Sequence, residues 1–146
     1  MVLISPTTRH PWLNAAIAAL LIATLGCSDA APYSVVPVSG TVKYDDGSLI
    51  PANQIMLTFD PLAAPVDTKT HPRKGIGYVN VSDGTIEPIT TYKYGDGVTQ
   101  GKHRLLVIAT DRNNQLLVPK EYTSAHTTPL EVDTANLPLE IKVPKP

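Results

Sequence analysis

Cys27 is the residue whose type and position point most directly to chemistry. It is the single cysteine in 146 residues and stands in the stretch TLGCSD, directly after an apolar run. One cysteine cannot form an internal disulfide. A reactive cysteine usually lies beside a histidine or on a tight turn, and this one has neither a flanking glycine turn nor a nearby histidine. We therefore expect Cys27 to have no catalytic role.

Histidines and serines are the next side chains that could support catalysis or bind zinc. His71, His103 and His126 lie far apart in the sequence, without the short spacing typical of zinc sites. Ser39 and Ser82 lie in ordinary strand and turn contexts rather than on a strained nucleophile turn. The residues predict neither a catalytic set nor a zinc site. An envelope hydrolase that uses His103 or His126 stays open as an alternative.

Three aspartates each precede a glycine, at Asp46, Asp83 and Asp96. Loop carboxylates of this kind can bind calcium. Aspartate followed by glycine is also a common turn sequence, because glycine accepts a positive φ and the carboxylate accepts hydrogen bonds from the turn backbone. We favour three turns and keep a calcium- or carbohydrate-binding module as the alternative function.

The first 26 residues are expected to be a signal peptide. Arg9 precedes a segment that carries no charge from Leu13 to Gly26. That length is typical of a signal-peptide core and is shorter than the roughly 20 apolar residues that span a bilayer. The predicted protein is therefore exported to the cell envelope.

The residues Thr24-Leu25-Gly26-Cys27 resemble the lipobox of bacterial lipoproteins. The resemblance implies a thioether link between Cys27 and diacylglycerol, followed by cleavage before Cys27. Each buried methylene contributes about 0.8 kcal/mol, so two or more chains anchor a protein stably. The alternative is ordinary cleavage near Ala30 or Ala31, which would remove Cys27. On the lipoprotein reading, residues 27–35 form a lipidated tether and residues 36–146 form the domain.

The rest of the chain has the pattern of an all-β domain. Apolar residues alternate with polar ones over several short segments, and turn sequences separate them. The predicted strands are 36–44, 54–60, 75–81, 85–89, 103–109, 116–118, 129–132 and 137–143. The segments 116–118 and 129–132 are the weaker ones, and a count of about seven short strands predicts an antiparallel two-sheet sandwich. We expect 103–109 to be a central strand covered on both faces, and 61–75 to be a long mobile connection at one end.

The order of motifs after residue 38 resembles small bacterial envelope lipoproteins with a carboxypeptidase-regulatory-like, or transthyretin-like, domain. The motifs are VSGTVKYDDGSLIPANQIMLTF, YVNVSDGTIEPITTYKYGDGVTQGKHRLLVIA and LVPKEYTSAHTTPLEVDT. Two positions depart from the family pattern: His103 replaces an aromatic residue, and Pro88 interrupts an apolar strand. The resemblance implies a prealbumin-like sandwich that serves as a structural or interaction unit.

Function is therefore expected to be non-catalytic. The predicted protein is a membrane-tethered module of the cell envelope with no cofactor, no metal and no catalytic residue. Its partners would be the membrane, through the lipid on Cys27, and a protein or glycan. The chain has 12 basic and 13 acidic residues and a net charge of −1, which gives no basic surface for nucleic acid.

Overall fold

The computed structural model describes residues 31–146. The predicted signal peptide (1–26), Cys27 and the first residues of the predicted tether lie outside the described residues. Between residues 31 and 146, no helix is long and apolar enough to cross a bilayer.

Short β-strands make up most of the regular structure. In residues 31–146 there are eight of them: β1 (Val35–Val36), β2 (Gly40–Tyr44), β3 (Gln54–Pro61), β4 (Gly75–Tyr78), β5 (Val98–Thr99), β6 (Lys102–Thr110), β7 (Glu131–Asp133) and β8 (Leu139–Val143). The helical residues of this part of the chain lie in two short 3-10 helices, Lys120–Thr123 and Thr134–Asn136. The all-β prediction is therefore confirmed.

Strand pairing differs in part from the predicted antiparallel sandwich. The largest sheet has the order β4-β3-β6-β7 and is antiparallel, as is the small β1-β5 pair. The β2-β8 pair is parallel, with Gly40 opposite Leu139 and Tyr44 opposite Val143, so the antiparallel prediction is wrong for this pair. The two strands lie at opposite ends of the domain sequence, and a connection this long permits either direction.

The predicted strand 85–89 forms only isolated bridges between the sheets. The Val42 amide donates to the Gly84 carbonyl over 2.8 Å, and the Thr90 amide donates to the Ile76 carbonyl over 2.9 Å. Isolated bridges pair Val79 with Ile86 and Ile76 with Thr90. Between these two bridges, three residues (87–89) lie opposite two (77–78), which makes a β-bulge. This bulge contains Pro88, whose missing amide proton would interrupt a regular ladder.

The core lies on the inner face of the four-stranded sheet. In β3 and β6 the odd-numbered residues other than Pro61 are at most 1% exposed; they are Ile55, Leu57, Phe59, His103, Leu105, Val107 and Ala109. The even-numbered Leu106 and Ile108 of β6 are only half-buried. The prediction that both faces of this strand are covered is therefore wrong. β6 is central, because it pairs with β3 on one side and β7 on the other.

The four-stranded sheet separates two ends of the domain by about 24 Å, the rise of the eight residues of β3. We call the end formed by Tyr33, β1 and the 61–75 loop the tether end. We call the opposite end, formed by the turns 45–48, 80–84 and 111–115, the distal end. The first strand begins at Val35, the last residue of the predicted tether, where Val35 pairs with Thr99.

Candidate functional site

Asp46 and Asp83 act in the turns that follow them. Asp46 Oδ1 accepts from the Ser48 amide over 2.9 Å, and its Oδ2 accepts from Lys145 Nζ over 2.7 Å. The Lys145 contact is the main cause of a lowered Asp46 pKa. Asp83 Oδ1 accepts from the Thr85 hydroxyl and amide, which lowers the Asp83 pKa. Both carboxylates thus accept hydrogen bonds from residues of their own turns, as the turn prediction requires.

Asp96 holds the loop before β5. Its two carboxylate oxygens accept from three consecutive amides, those of Thr91 (2.8 Å), Tyr92 (3.0 Å) and Lys93 (2.9 Å). Burial alone would raise the Asp96 pKa, but the three amide donors together lower it. Hydrogen bonds to an ionised acceptor are about twice as strong as neutral ones. The carboxylate is therefore committed to the loop backbone.

Replacing Asp96 with asparagine is expected to lower the free energy of unfolding by about 1–2 kcal/mol. The carboxamide keeps one acceptor oxygen, but its NH₂ group cannot accept the amides now bound by the second oxygen. Urea unfolding at neutral pH measures the loss, and D83N, in an exposed turn, is the matched control with a smaller effect.

Millimolar calcium should leave the wild-type midpoint of urea unfolding unchanged. A calcium-dependent rise that D96N abolishes would support the calcium-binding alternative instead.

His103 is a buried side chain of the core. It is 1% exposed, and its ring meets the Phe59 ring edge-to-face with centroids 5.9 Å apart. Its Nδ1 lies 3.1 Å from the Gly101 carbonyl oxygen, which can only accept, so Nδ1 carries the proton. Nε2 is buried without a hydrogen-bond partner among the described residues. Burial lowers the His103 pKa, so the imidazole is neutral and packed rather than presented to a substrate.

The other two histidines of residues 31–146 lie in exposed loops. His71 belongs to the 61–75 loop, and His126 lies in the loop after the first 3-10 helix. Within residues 31–146, no three His, Cys, Asp or Glu side chains come close enough together to hold a metal ion. Cys27 lies outside the described residues. The structure does not bring the candidates that lie within residues 31–146 together into one site.

A cleft at the distal end was not anticipated from the sequence. It encloses about 540 Å³ and is lined by Pro51, Ala52, Asn53, Val81, Asp111, Arg112 and Asn113. β3 begins beneath it, and the Asn53 amide donates to the Thr110 carbonyl over 2.8 Å. The walls thus come from three chain segments that meet only because β3 and β6 are paired.

The polar groups of the distal cleft are suited to binding hydroxyl or carboxylate groups. Asp111 Oδ1 accepts from the Asn113 and Gln115 amides, each over 2.8 Å, which fixes the 111–115 turn. Asn53, Arg112 and Asn113 are exposed. A guanidinium binds carboxylates, and side-chain amides both donate to and accept from hydroxyls. The cleft therefore offers polar recognition next to the small apolar patch of Pro51 and Val81.

The tether end is fixed by the hydroxyl of Tyr33. This oxygen lies 3.0 Å from the Thr70 carbonyl and 3.3 Å from the Ala64 carbonyl, and it accepts from the Val66 amide over 3.0 Å. Asp67 accepts from the Lys69 and Thr70 amides within the same loop. The predicted mobile loop is therefore held by its own turn and by the N-terminal segment.

We call the contacts of the Tyr33 hydroxyl with the 61–75 loop the Tyr33 clamp. Local sequence patterns give little indication of either the distal cleft or this clamp. The stretch DRNNQ has the composition of a turn, which marks Arg112 and Asn113 as exposed but not as part of a cleft. Tyr33 gave no signal, because its partners lie more than 30 residues away. The chain matches no protein-family model, and no curated protein or solved structure was found to be similar to it.

Proposed function

We propose that this protein is a non-catalytic lipoprotein of the cell envelope, in which Cys27 carries the lipid and residues 31–146 form the presented domain. In this proposal the export signal is residues 1–26, and the domain is a prealbumin-like sandwich. The observation that carries the proposal is the short interval between Cys27 and the fold. Tyr33, six residues after Cys27, is already bound to the 61–75 loop.

Such an interval suits an anchored module. A chain segment advances at most about 3.6 Å per residue, so six residues reach about 20 Å. The folded unit then stays next to the membrane. The core residues all lie between Val38 and Val143, so anchoring at Cys27 leaves packing undisturbed.

The distal cleft is the proposed place of partner contact. It lies at the opposite end of β3 from the Tyr33 clamp and so faces away from the anchor. Its exposed Arg112, Asn53 and Asn113 suit a protein or glycan with carboxylate and hydroxyl groups. The calcium-binding alternative gains no support from the described residues, because the Asp-Gly carboxylates accept hydrogen bonds within their own turns. A hydrolase that uses His103 gains none either, because that side chain is buried.

Cys27→Ala is expected to release the protein from the membrane. The variant lacks the thiol that would carry the acyl chains, so the membrane fraction should fall by more than about tenfold relative to wild type. Fractionation of cells measures this distribution, and mass spectrometry of the wild-type N-terminus should find Cys27 with a diacylglyceryl adduct.

Ser28→Ala is the matched control, because it changes the neighbouring residue and keeps the thiol. It should stay with the membrane. An unmodified wild-type N-terminus at Ala31 or Pro32 would contradict the lipoprotein proposal and would indicate ordinary signal cleavage.

A further inference from the structure

We propose that the 61–75 loop is a membrane-contact surface that seats the domain on anionic lipid. This inference rests on the proposed function, because it takes Cys27 as the anchor. The bilayer surface is the one occupant proposed. The tether length, the composition of the loop and the charge of the opposite end support it separately.

The tether is too short to let the domain turn over. Six residues reach about 20 Å even when fully extended, whereas a domain of this size is about 35 Å across. Tyr33 is bound to the 61–75 loop through three hydrogen-bond contacts, with Ala64, Val66 and Thr70. Tyr33 therefore joins this loop to the chain segment that leads back to Cys27.

The loop combines basic residues with exposed apolar ones. Lys69, Arg73 and Lys74 are exposed, and with Asp67 as its one acid the loop carries a charge of +2 when histidine is neutral. Val66 is 65% exposed and Leu62 is 43% exposed. Basic residues attract anionic headgroups, and apolar side chains beside them enter the interfacial region.

Contacts within the tether end fix the positions of two of the basic groups. The Arg73 guanidinium lies 5.2 Å from the centre of the Tyr92 ring, and Lys74 Nζ lies 3.3 Å from Asp60 Oδ2. These contacts hold the Arg73 and Lys74 side chains in defined positions on the loop. Less ordering is then needed on contact with a surface.

Charge at the distal end opposes the reverse orientation. Its turns carry Asp45, Asp46, Asp83 and Asp111. Arg112 is the basic residue of these segments and Lys145 pairs with Asp46, so this end keeps an excess of acidic groups. An anionic surface repels this end and attracts the loop at the tether end. Electrostatics and tether length therefore favour the same orientation.

The test uses a single tryptophan as a depth probe. The sequence has one tryptophan, Trp12, so the chain from Cys27 to Pro146 has none. Val66→Trp places the probe in the loop, and Val81→Trp places it at the distal end, where Val81 is 40% exposed. Each variant is coupled through Cys27 to maleimide-bearing lipid in vesicles of POPC with about one quarter POPG, and brominated lipid is the quencher.

Val66→Trp is expected to be quenched at least about twofold more than Val81→Trp on vesicles that contain POPG. Its excess quenching should disappear on pure POPC and in about 0.5 M salt, where the charges are screened. Adding Lys69→Glu should weaken contact by about fivefold or more, since one basic charge near an anionic surface contributes about that factor. Lys142→Glu, at an exposed lysine of β8, is the matched charge control and should leave the Val66→Trp signal unchanged.

Equal quenching of the two probes would overturn the inference, as would excess quenching of Val66→Trp that is the same on pure POPC. Circular dichroism checks that each variant is folded. Because the coupling is chemical, the result does not depend on whether cells attach lipid to Cys27. Failure of this inference and failure of the proposed function are therefore separate outcomes.

Discussion

Gly97→Ala is expected to lower the free energy of unfolding by about 3 kcal/mol. Gly97 has a φ of +99°, which strains any residue with a Cβ. A Cβ built there would overlap the Val36 carbonyl oxygen and lie 2.7 Å from the Pro37 nitrogen. Both are backbone atoms, so no side-chain rotation relieves the overlap, and β1 must move away from β5.

The matched control for Gly97 is Gly101→Ala. Gly101 also has a positive φ, +117°, but a Cβ there meets nothing within 4 Å. Its replacement should cost about 1–2 kcal/mol from backbone strain alone. Urea unfolding of both variants separates the cost of backbone strain from the cost of the overlap with Val36. Equal losses in the free energy of unfolding would show that this overlap is not important.

Displacement of β1 should also weaken the hydrogen bond between Gln100 and Ser34 at the tether end. The Gln100 amide donates to the Ser34 carbonyl over 2.9 Å beside the β1-β5 pair. In Gly97→Ala, hydrogen exchange at Gln100 should accelerate more than exchange at the centre of β6. Uniform acceleration would indicate loss of global stability without local release of β1.

Stability is expected to fall below about pH 6.5 because of His103, by up to about 1.4 kcal/mol per pH unit. Burial lowers the pKa of His103 in the folded state, whereas the unfolded imidazole titrates near about 6.5. Below that pH the unfolded chain binds a proton that the folded chain does not, so acidification favours unfolding. Above it both states are neutral, and His103 contributes no pH dependence.

His103→Phe isolates this effect. Phenylalanine keeps an aromatic ring against Phe59 and has no titrating nitrogen, so the slope between about pH 5 and about pH 7.5 should flatten. The lowered pKa values of Asp46, Asp83 and Asp96 do not interfere, because unfolded aspartate titrates near about 3.9.

The control for His103 is His126→Gln, at an exposed histidine. Urea unfolding across the pH range should give it the wild-type slope. A slope that persists in His103→Phe would show that another group causes the pH dependence.

The sequence predicted those elements whose cause is local. Alternation over residues 54–60 identified β3 and its buried side chains Ile55, Leu57 and Phe59, because a strand places successive side chains on opposite faces. The turn ending at Gly84 was predicted for the same kind of reason, since a glycine there permits the positive φ that the turn needs. The Asp-Gly pairs likewise form hydrogen-bonded turns.

Pairing partners could not be predicted from these local patterns. β1 and β5 have two residues each, too few to show a period, and they form only because Gly97 lets Val36 approach. The parallel pairing of β2 with β8 joins strands that are far apart in sequence. Periodicity says which face of a strand is apolar, but not which strand lies beside it.

By itself, the sequence determined an all-β domain, and it predicts a lipid anchor at Cys27. The tertiary structure alone decided that Tyr33 binds the 61–75 loop and that Asn53, Val81 and Arg112 line one cleft. Composition and alternation are properties of neighbouring residues, whereas a clamp or a cleft depends on the distances between segments. Those distances are set by how the strands pair and pack, which no single segment encodes.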